Sequence, residues 1–508
     1  MSPRRLCIIA LLLFLSACVR PAPTLLPNTP GSYWATGQLP TPQPITTTPT
    51  LSYVLPTQRP PGAPLITPTP DALHYSSTPE RGPETYVVQS GDMLSAIAVK
   101  HGVSLDAIMQ ANGITDPNML EVGQVLNIPV VTPQPPGPPD KIIPDSELIY
   151  GPNSRLDVAA FIKVQGGYLA SFTQAVNDET LTGAQIVQRV AANYSVNPRL
   201  LLAVLEYRSG WVTNPSPDPA LSETPFGFSD NWYTGFYRQL VWAAVALNTG
   251  YYRWRGGDVT DWVLGDGSVV PIDPTINAGT AGVQFFFAQL DGYTAWLRDV
   301  SAGGFIETYS RLFDYPFDYA VEPLIPTNLI QPLLHLPFAA GETWYFTGGP
   351  HDAWDVGTPL GALDFAAPDT EGCNPLDDWV TAMADGLVVR SETSTVVEDL
   401  DLDGLEQTGW VVEYFHIENR GRVPAGTMLK AGDHIGHPSC EGGIYSAAHV
   451  HVIRKFNGEW LSAYGRVPFV LDGWVADGTG EEYVGTLTRN GEVVVPLDGG
   501  EPSNQIHR

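Results

Sequence analysis

Two histidines, His449 and His451, lie two residues apart in the segment HVHVIRKF, whose composition is typical of a β-strand. Because side chains alternate between the two faces of a strand, both imidazoles are expected to point to the same side. Further groups that can bind a metal or move a proton stand upstream, at His351, Asp364 and His416. A zinc ion with three protein ligands keeps one position for water and lowers the pKa of that water toward neutrality. The pattern predicts hydrolytic chemistry.

The region around these residues consists of short β-type segments separated by turn residues. The pieces GGPH, LDFAAP, TAMADGLVV, VVEYFHI, VPAGTMLKAGDHIG and AAHVHV occur there in the order found in lysostaphin/β-lytic (LytM-type) zinc metallopeptidases. Residues 331–475 therefore resemble that family. The resemblance implies an antiparallel β-sheet groove with zinc on its floor.

Carried over position by position, the resemblance makes His351, Asp364 and His451 the zinc ligands. It makes His416 and His449 the catalytic residues beside them. One would act as general base toward water, and the other would stabilise the oxyanion or protonate the leaving amine. The sequence leaves open which histidine has which role.

Asp355 is the alternative third ligand, because it lies four residues after His351 in HDAWD. We favour Asp364, since only Asp364 is followed by the FAAP and ADGLV pieces of the family. His434 and His437 match no ligand position, and we expect them in solvated turns.

A separate acidic loop is a candidate calcium site. Asp399, Asp401 and Asp403 alternate along the chain and are followed by Gly404, as in the first half of a calcium-binding loop. The glutamate expected at the twelfth position is replaced by Trp410. The alternative interpretation is an acidic, solvated turn.

The first residues have the pattern of an export signal. Arg4 and Arg5 precede an apolar run at positions 6–15 that is too short to span a bilayer. The following LSAC resembles the lipobox of bacterial lipoproteins, which makes 1–17 a signal peptide and Cys18 the acylated residue. We therefore expect an exported protein anchored by lipid to the outer face of the membrane. The alternative is an ordinary cleaved signal, or a short anchor in which Cys18 is incidental.

Two cysteines remain once Cys7 is removed with the signal and Cys18 is acylated. These are Cys373 and Cys440, and an even pair in an oxidising compartment predicts a disulfide. Two thiolate metal ligands are the weaker alternative, because neither cysteine belongs to a C-x-x-C pair.

Proline-rich segments divide the chain. Residues 18–84 are rich in proline and threonine, and 131–144 contain the shorter tract VTPQPPGPPDK. Such segments do not bury a core and favour extended polyproline II. We predict a tether and a linker.

Residues 85–130 have the β-α-α-β pattern and closely resemble a LysM module, through VQSGDMLSAIA and VGQVLNIP. The resemblance implies binding to glycans that contain N-acetylglucosamine. Asp92 could instead cap the first helix. The residues that the family's groove implies here are Gly91, Asp92, Met93, Leu94 and Ile114.

Residues 145–330 are predicted to be mainly helical, with Thr182 and Asn197 as N-caps. The stretch NYSVNPRLLLAVLEYRSGW resembles the active-site helix of lytic transglycosylases and lysozyme-like domains. Arg208 occupies the position of the family's catalytic glutamate, and a guanidinium cannot donate a proton at neutral pH. Glu206 is the nearby substitute. We predict a lysozyme-like domain without catalytic activity.

The whole chain of 508 residues is long enough for two to four units and carries a net charge of −28. Such a surface repels phosphate backbones, which disfavours nucleic acid as a partner. The predicted fold is multidomain: a small β-α-α-β LysM module, a mainly α lysozyme-like domain, an antiparallel β zinc peptidase domain and a C-terminal extension at 476–508.

Together these features predict a lipid-anchored, zinc-dependent hydrolase that cleaves peptides of peptidoglycan. A non-catalytic scaffold that binds the cell wall, or activates other hydrolases, is the second hypothesis. A glycan-cleaving enzyme that uses Glu206 is the third.

Overall fold

The structure is a computed structural model that describes residues 68–74, 84–89, 92–101, 103–117, 119–129, 134–177, 179–368, 370–443 and 446–508. The predicted signal peptide, the lipidation site Cys18 and most of the predicted tether lie outside these residues. Within the described ranges, no helix is both long and apolar enough to cross a membrane.

The described helices are α1 (Leu94–His101), α2 (Leu105–Asn112), α3 (Asp145–Leu148), α4 (Val158–Gln165), α5 (Gly183–Tyr194), α6 (Pro198–Ser209), α7 (Phe236–Gly256), α8 (Ala278–Ala288), α9 (Tyr293–Asp299) and α10 (Phe305–Phe313). The strands of the first three hundred residues are β1 (Glu84–Val87), β2 (Val125–Ile128), β3 (Thr173–Val176), β4 (Glu179–Thr182), β5 (Asp261–Val263) and β6 (Val269–Pro271). The later strands are β7 (Thr343–Asp352), β8 (Leu360–Ala366), β9 (Val380–Thr381), β10 (Gly386–Glu392), β11 (Thr395–Asp399), β12 (Trp410–Phe415), β13 (Met428–Leu429), β14 (His434–Gly436), β15 (Val450–Phe456), β16 (Glu459–Trp460), β17 (Val470–Leu471), β18 (Trp474–Gly478), β19 (Gly485–Arg489), β20 (Glu492–Val494) and β21 (Gln505–His507).

The first unit places two helices against a two-stranded sheet. β1 pairs antiparallel with β2, so that Tyr86 lies opposite Leu126. Ile97 and Ile108 are buried between the helices and this sheet. The Ser104 side chain accepts a hydrogen bond from a backbone N–H in the first turn of α2 and so begins that helix. The element order is the β-α-α-β order that the sequence predicts.

Residues 68–74, which we call the strap, pack into the structure although they belong to the predicted tether. Thr69 is buried, and its hydroxyl accepts hydrogen bonds from the backbone N–H groups at 324–325, at 2.8 and 3.4 Å. The His74 ring stacks on Trp254 with 3.6 Å between ring centroids. The expectation of an extended tether is wrong for these seven residues, because their hydroxyl and imidazole groups find specific partners.

Charged groups also hold the strap. The Arg255 guanidinium lies 2.9 Å from the Glu459 carboxylate and 3.6 Å from that of Asp71. Burial, with Asp145 nearby, raises the pKa of Asp71 to about 7, and burial raises that of Glu459 to about 7. One guanidinium thus faces the buried carboxylate of Glu459 and the partly buried carboxylate of Asp71. The strap is thereby joined both to α7 and to the strands beyond it.

The segment after the LysM unit is also docked. The N–H of Gln134 donates to the carbonyl of Val269 at 2.7 Å, and that of Gly137 donates to the carbonyl of Pro271 at 2.9 Å. This part of the predicted linker therefore runs along β6. The described part of the predicted linker is therefore bound to its neighbour from Gln134 onward.

Helices α3–α10, with the hairpins β3–β4 and β5–β6, form the helical domain at 145–330. Thr182 and Gln185 form a capping box at the start of α5. Asn197 caps α6, which has a proline at its first position and ends at Gly210 in the left-handed conformation. These helix boundaries are the predicted ones.

The C-terminal strands form a nine-stranded antiparallel sheet in the order β13-β10-β11-β12-β15-β8-β7-β21, with β16 also paired to β15. We call this part the sheet domain. β17 to β20 form a separate four-stranded sheet. β21 pairs with β7, with Ile506 opposite Trp344. Within residues 476–508, predicted to be an extension, β21 therefore forms an edge of the main sheet, and β19 and β20 belong to the four-stranded sheet.

The sheet domain has a hydrophobic core of its own and also packs against the core of the helical domain. Five buried residues of the sheet domain belong to the helical cluster: Ala353, Ala362, Ile453, Trp460 and Leu461. The Ser195 hydroxyl donates to the carbonyl of Gly458 at 2.5 Å, and the Asn457 amide donates to the carbonyl of Leu324 at 2.9 Å. The two domains are therefore packed together over an apolar surface that also carries buried hydrogen bonds.

Gly458→Ala tests this packing. Gly458 has φ +78°, and a Cβ atom there would lie 2.1 Å from the carbonyl oxygen of Tyr150. Gly465→Ala is the matched control, because Gly465 has φ +90° with nothing within 4 Å of its Cβ position. Both substitutions carry backbone strain of about 1 kcal/mol, and the clash adds about 1–3 kcal/mol for Gly458→Ala alone. Chemical denaturation followed by tryptophan fluorescence is expected to give the larger loss for Gly458→Ala, and equal losses would contradict the close contact.

Candidate metal centre

Strands β7, β8 and β15 lie side by side and bring three polar side chains together. His451 in β15 pairs with Asp364 in β8, and His351 lies in a bulged stretch of β7. Nδ1 of His451 lies 3.1 Å from Oδ1 of Asp364 and 3.1 Å from Nε2 of His351. That Nε2 lies 3.4 Å from Oδ2 of Asp364. All three residues are buried, and their donor atoms lie within 4.8 Å of one another, so the cluster could hold a metal ion.

The second nitrogen of each imidazole is bound to a backbone carbonyl. Nδ1 of His351 lies 2.7 Å from the oxygen of Gly349, and Nε2 of His451 lies 3.0 Å from the oxygen of Ala353. A carbonyl can only accept, so these nitrogens carry the protons and the other nitrogens offer lone pairs to the cluster. Hydrogen bonds of this kind orient histidines for metal binding.

The charges of the cluster also suit a metal. Burial lowers the pKa of His351 to about 4, although Asp364 opposes this shift, so the ring is neutral at pH 7. Burial alone would raise the pKa of Asp364, but His351, His449 and His451 together hold it well below its usual range. Neutral imidazole and ionised carboxylate are the forms that bind metal ions.

His416 and His449, the predicted catalytic pair, lie beside this cluster. Their ring centroids are 4.7 Å apart, and Nε2 of His449 lies 3.9 Å from Oδ2 of Asp364. Nδ1 of His416 donates to the carbonyl of Glu441 at 2.8 Å, and Nδ1 of His449 donates to that of Ala447 at 3.0 Å. Each ring therefore keeps Nε2 as the nitrogen that can accept a proton.

Asp355, the alternative third ligand, lies outside the group of residues that could hold a metal. Its Oδ1 accepts a hydrogen bond from the N–H of Val356, and its carbonyl accepts one from the hydroxyl of Thr358. These contacts close the turn after His351. The geometry favours Asp364.

Tyr483 is a contact that the sequence reasoning missed. Its ring stacks on His351, with 4.4 Å between ring centroids and 17° between planes, and its N–H donates to the carbonyl of Pro350 at 2.9 Å. Tyr483 belongs to the predicted C-terminal extension, and no local sequence pattern relates it to His351. The packing of the four-stranded sheet against β7 brings the two together.

Cys373 and Cys440 form a disulfide, with 5.6 Å between their Cα atoms. The bridge joins the loop after β8 to the segment that follows β14. Glu441, whose carbonyl binds His416, comes directly after Cys440.

The acidic loop is held by its own hydrogen bonds. The carboxylate of Asp399 is buried and accepts from three backbone N–H groups between 401 and 404, at 2.8 to 3.2 Å. Asp403 accepts from the hydroxyl of Thr408 at 2.5 Å. Burial, with a hydrogen bond to Asp399, raises the pKa of Asp401 to about 8. The three carboxylates lie close enough to hold an ion, yet these contacts close the loop without one, so calcium is not supported.

His434 and His437 are placed differently from each other. His434 is exposed in β14 and stacks on Trp379 with 4.3 Å between ring centroids. His437 is buried, and its Nδ1 donates to the carbonyl of Asp378 at 2.8 Å. The expectation of a solvated turn is therefore wrong for His437, because this imidazole finds a backbone partner beneath Trp379.

Glu206 closes the turn after α6. Its Oε2 accepts from the N–H groups of Val212 and Thr213, both at 3.0 Å, and its Oε1 accepts from the Thr213 hydroxyl at 2.5 Å. The Arg311 guanidinium lies 3.3 Å from Oε1. Four donors occupy this carboxylate, which argues against a role as proton donor to a glycan.

Arg208 is tied to the same domain. Its Nη1 lies 2.8 Å from the carboxylate of Asp291, and its Nε donates to the carbonyl of Phe226 at 3.0 Å. Arg208 thus links α6 to two loops of the helical domain.

The predicted glycan-binding residues differ in accessibility. Gly91 lies outside the described residues, Met93 is exposed, and Ile114 packs partly against the LysM core. Leu94 is fully buried in that core, so its prediction as a glycan contact is wrong, since the first turn of α1 points it inward.

Asp92 closes the loop that leads to α1. Its carboxylate accepts hydrogen bonds from the Tyr86 hydroxyl at 2.8 Å and from the N–H of Gln89 at 2.7 Å. The bonds to Gln89 and Tyr86 lower the pKa of Asp92. The described contacts of this carboxylate are therefore with the β1–α1 loop.

Tyr483→Ala removes the ring stacked on His351 and is expected to weaken zinc binding about 10-fold or more, because partners that orient ligands contribute about 10–100-fold. Tyr483→Phe keeps the stacked ring and is expected to bind zinc as the wild type does. Competition with a chromophoric chelator at pH 7 measures both. Wild-type affinity in Tyr483→Ala would refute the orienting role of the ring.

Comparison with known proteins places two domains in the chain. A family model described as "LysM domain" matches residues 86–129, and one described as "LasA, N-terminal domain" matches residues 141–326. The helical domain, predicted to be lysozyme-like, lies almost entirely within the second match.

Individual relatives match smaller parts. The N-acetylmuramoyl-L-alanine amidases XlyB and XlyA of Bacillus subtilis (strain 168) are 48% and 49% identical over 44 and 45 residues. These segments are 9% of this chain and 14% and 15% of the two amidases, so the chain spans a small part of these relatives' length.

Solved structures of M23 metallopeptidases are also similar. The M23 metalloprotease pseudoalterin from the deep sea is 24% identical, with 33% of this chain and 96% of that chain covered and a TM-score of 0.28. The catalytic domain of lysostaphin from Staphylococcus simulans is 21% identical, with 24% and 89% covered and a TM-score of 0.18. Residues 86–129 and 141–326 are thus similar to the LysM and LasA N-terminal domain families, and the sheet domain that carries the histidine–aspartate cluster follows them.

Proposed function

We propose that this protein is a zinc metallopeptidase that hydrolyses peptide bonds in the stem peptides or cross-bridges of peptidoglycan. The observation that carries this proposal is the cluster of His351, Asp364 and His451, in which both imidazoles have the tautomer that metal binding requires. Two neutral nitrogens and one carboxylate form a common ligand set of hydrolytic zinc sites. When bound, zinc supplies a Lewis acid for the scissile carbonyl and lowers the pKa of water.

The neighbouring histidines would handle the protons. His416 and His449 each donate from Nδ1 to a backbone carbonyl, so Nε2 is the nitrogen of each ring that has a lone pair for a proton. One accepts a proton from the attacking water at Nε2. The other stabilises negative charge on the carbonyl oxygen or delivers a proton to the leaving amine. Either assignment is compatible with rings only 4.7 Å apart.

Peptidoglycan as the substrate is supported by the LysM domain and by the similarity to two proteins named as N-acetylmuramoyl-L-alanine amidases. The LysM domain would bind glycan strands that contain N-acetylglucosamine, and the sheet domain would act on the attached peptides. An envelope location belongs to the same proposal, with export directed by residues 1–17 and a lipid anchor at Cys18. The net charge of −28 is unsuited to nucleic-acid binding.

A non-catalytic scaffold that binds the cell wall, or activates other hydrolases, is the second candidate. Such a protein does not need to keep a complete ligand set. Here His351, Asp364 and His451 converge in one buried cluster beside His416 and His449. The complete set favours the enzyme.

Digestion of purified peptidoglycan tests the proposal. The wild-type protein is expected to release new amino termini, without new reducing ends, and a chelator is expected to stop this release until zinc is added back. His451→Ala is expected to lose the activity. Continued release of amino termini by folded His451→Ala would show that the zinc ligand is wrongly assigned.

Glu206→Gln separates the peptidase from a glycan-cleaving enzyme. It keeps the size of the side chain and removes its acid, so the release of amino termini is expected to continue. New reducing ends that persist in chelator and disappear in Glu206→Gln would place the activity in the helical domain instead.

A further inference from the structure

The disulfide joins a segment that contacts the predicted catalytic histidines to a loop that contacts the residue before His449. Cys440 lies between Ser439 and Glu441, and Cys373 follows Gly372. Each of these three neighbouring residues makes a hydrogen bond to His416, to His449 or to the residue beside His449.

The segment around Cys440 holds His416 at two points. The carbonyl of Glu441 accepts from Nδ1 of the His416 ring at 2.8 Å. The N–H and hydroxyl of Ser439 donate to the carbonyl of His416 at 2.8 and 2.9 Å. Ser439 also forms an isolated β-bridge with His449. This segment therefore determines both the ring orientation and the backbone position of His416.

The loop around Cys373 binds the backbone just before His449. The carbonyl of Gly372 accepts from the N–H of Ala448 at 2.8 Å. Ala448 directly precedes His449, and the carbonyl of Ala447 accepts from the His449 ring. The disulfide thus connects the segment that holds His416 to the loop that holds the backbone before His449.

His416 needs such support. Its φ of +64° lies in the left-handed region, which residues with a side chain seldom adopt and which persists only where the surroundings hold it. Short hydrogen bonds from Ser439 and a covalent bridge at the next residue supply these surroundings.

The three proposed zinc ligands are held by parts of the structure that the disulfide does not join. His351, Asp364 and His451 lie in paired strands, and the carbonyls of Gly349 and Ala353 orient their imidazoles. Neither carbonyl lies in a loop that the disulfide joins. Loss of the bridge would therefore act on the proton-handling histidines and leave the ligand cluster in place.

We propose that the Cys373–Cys440 disulfide positions His416 and His449, so that turnover depends on the bridge while zinc binding does not. This inference rests on the proposed peptidase function. Cys373 is exposed, so the bridge is open to a reductant from solvent. The activity of the folded, zinc-loaded protein is then under redox control.

The double variant Cys373→Ser with Cys440→Ser tests the positioning role. On purified peptidoglycan its kcat is expected to fall on the order of 10- to 100-fold, because small misplacements of reacting groups have effects of that size. Its KM and its zinc affinity are expected to stay at wild-type values. Gly465→Ala serves as the control, since it strains the backbone away from the bridge without a clash and is expected to keep kcat at temperatures where it is folded.

A second measurement uses the wild-type protein and does not depend on folding without the bridge. A water-soluble phosphine converts the disulfide and one water molecule into two thiols and a phosphine oxide. Treatment of the folded, zinc-loaded protein is expected to lower kcat with zinc retained, and reoxidation is expected to restore it unless iodoacetamide has alkylated the thiols.

Unchanged kcat in the reduced protein would overturn the inference, and so would zinc loss in parallel with activity. These outcomes are distinct from failure of the proposed function. If the untreated wild-type protein releases no chelator-sensitive amino termini, the peptidase proposal itself fails. If it does release them and the reduced protein cleaves equally well, only the positioning role fails.

Discussion

Four hydrogen bonds from imidazole N–H groups to backbone carbonyls determine how the centre of this protein is arranged. The accepting residues are Gly349, Ala353, Glu441 and Ala447. A buried imidazole N–H without such a partner would lower the stability of the fold by about 1–3 kcal/mol. The ring could then flip, which would exchange the positions of its two nitrogens. With the partners present, each ring offers one defined nitrogen to a metal or a proton. The chemistry of the site therefore depends on where four short backbone segments are held.

Distant parts of the chain hold those segments. Ala353 packs into the core of the helical domain, so that domain supports the carbonyl that orients His451. Tyr483, beyond the predicted peptidase boundary, stacks on His351. The disulfide at Cys440 secures the segment that contains Glu441. The helical domain, the C-terminal strands and the bridge thus all support the same cluster, although the sheet domain also has a hydrophobic core of its own.

Local patterns in the sequence were sufficient to predict features that depend on neighbouring residues, such as helix caps and the side of a strand on which a residue lies. Strand alternation predicted that His449 and His451 would share a side, and both have a ring nitrogen within 4 Å of an Asp364 oxygen. Polar residues before apolar helical runs predicted the caps at Thr182 and Asn197. In each case the residue acts through neighbours a few positions away or through a regular period.

The contacts that the sequence did not predict are between residues far apart in the chain. The strap at 68–74 has the composition of a tether, yet Thr69 is buried because its hydroxyl accepts hydrogen bonds from backbone N–H groups far along the chain. Tyr483 reaches His351 only because a second sheet packs beside β7. Leu94 was predicted to contact glycan from motif position, and the LysM core buries it. Composition and motifs do not contain these contacts.

Zinc titration of the metal-free protein, in competition with a chromophoric chelator, tests the central claim most directly. The wild type is expected to bind one zinc ion at the cluster of His351, Asp364 and His451. Asp364→Asn is expected to weaken binding by about 100-fold or more, since it removes the only carboxylate of the set. Asp355→Asn, at the alternative spacing, is expected to bind zinc as the wild type does. Weak binding in Asp355→Asn with wild-type binding in Asp364→Asn would contradict the account.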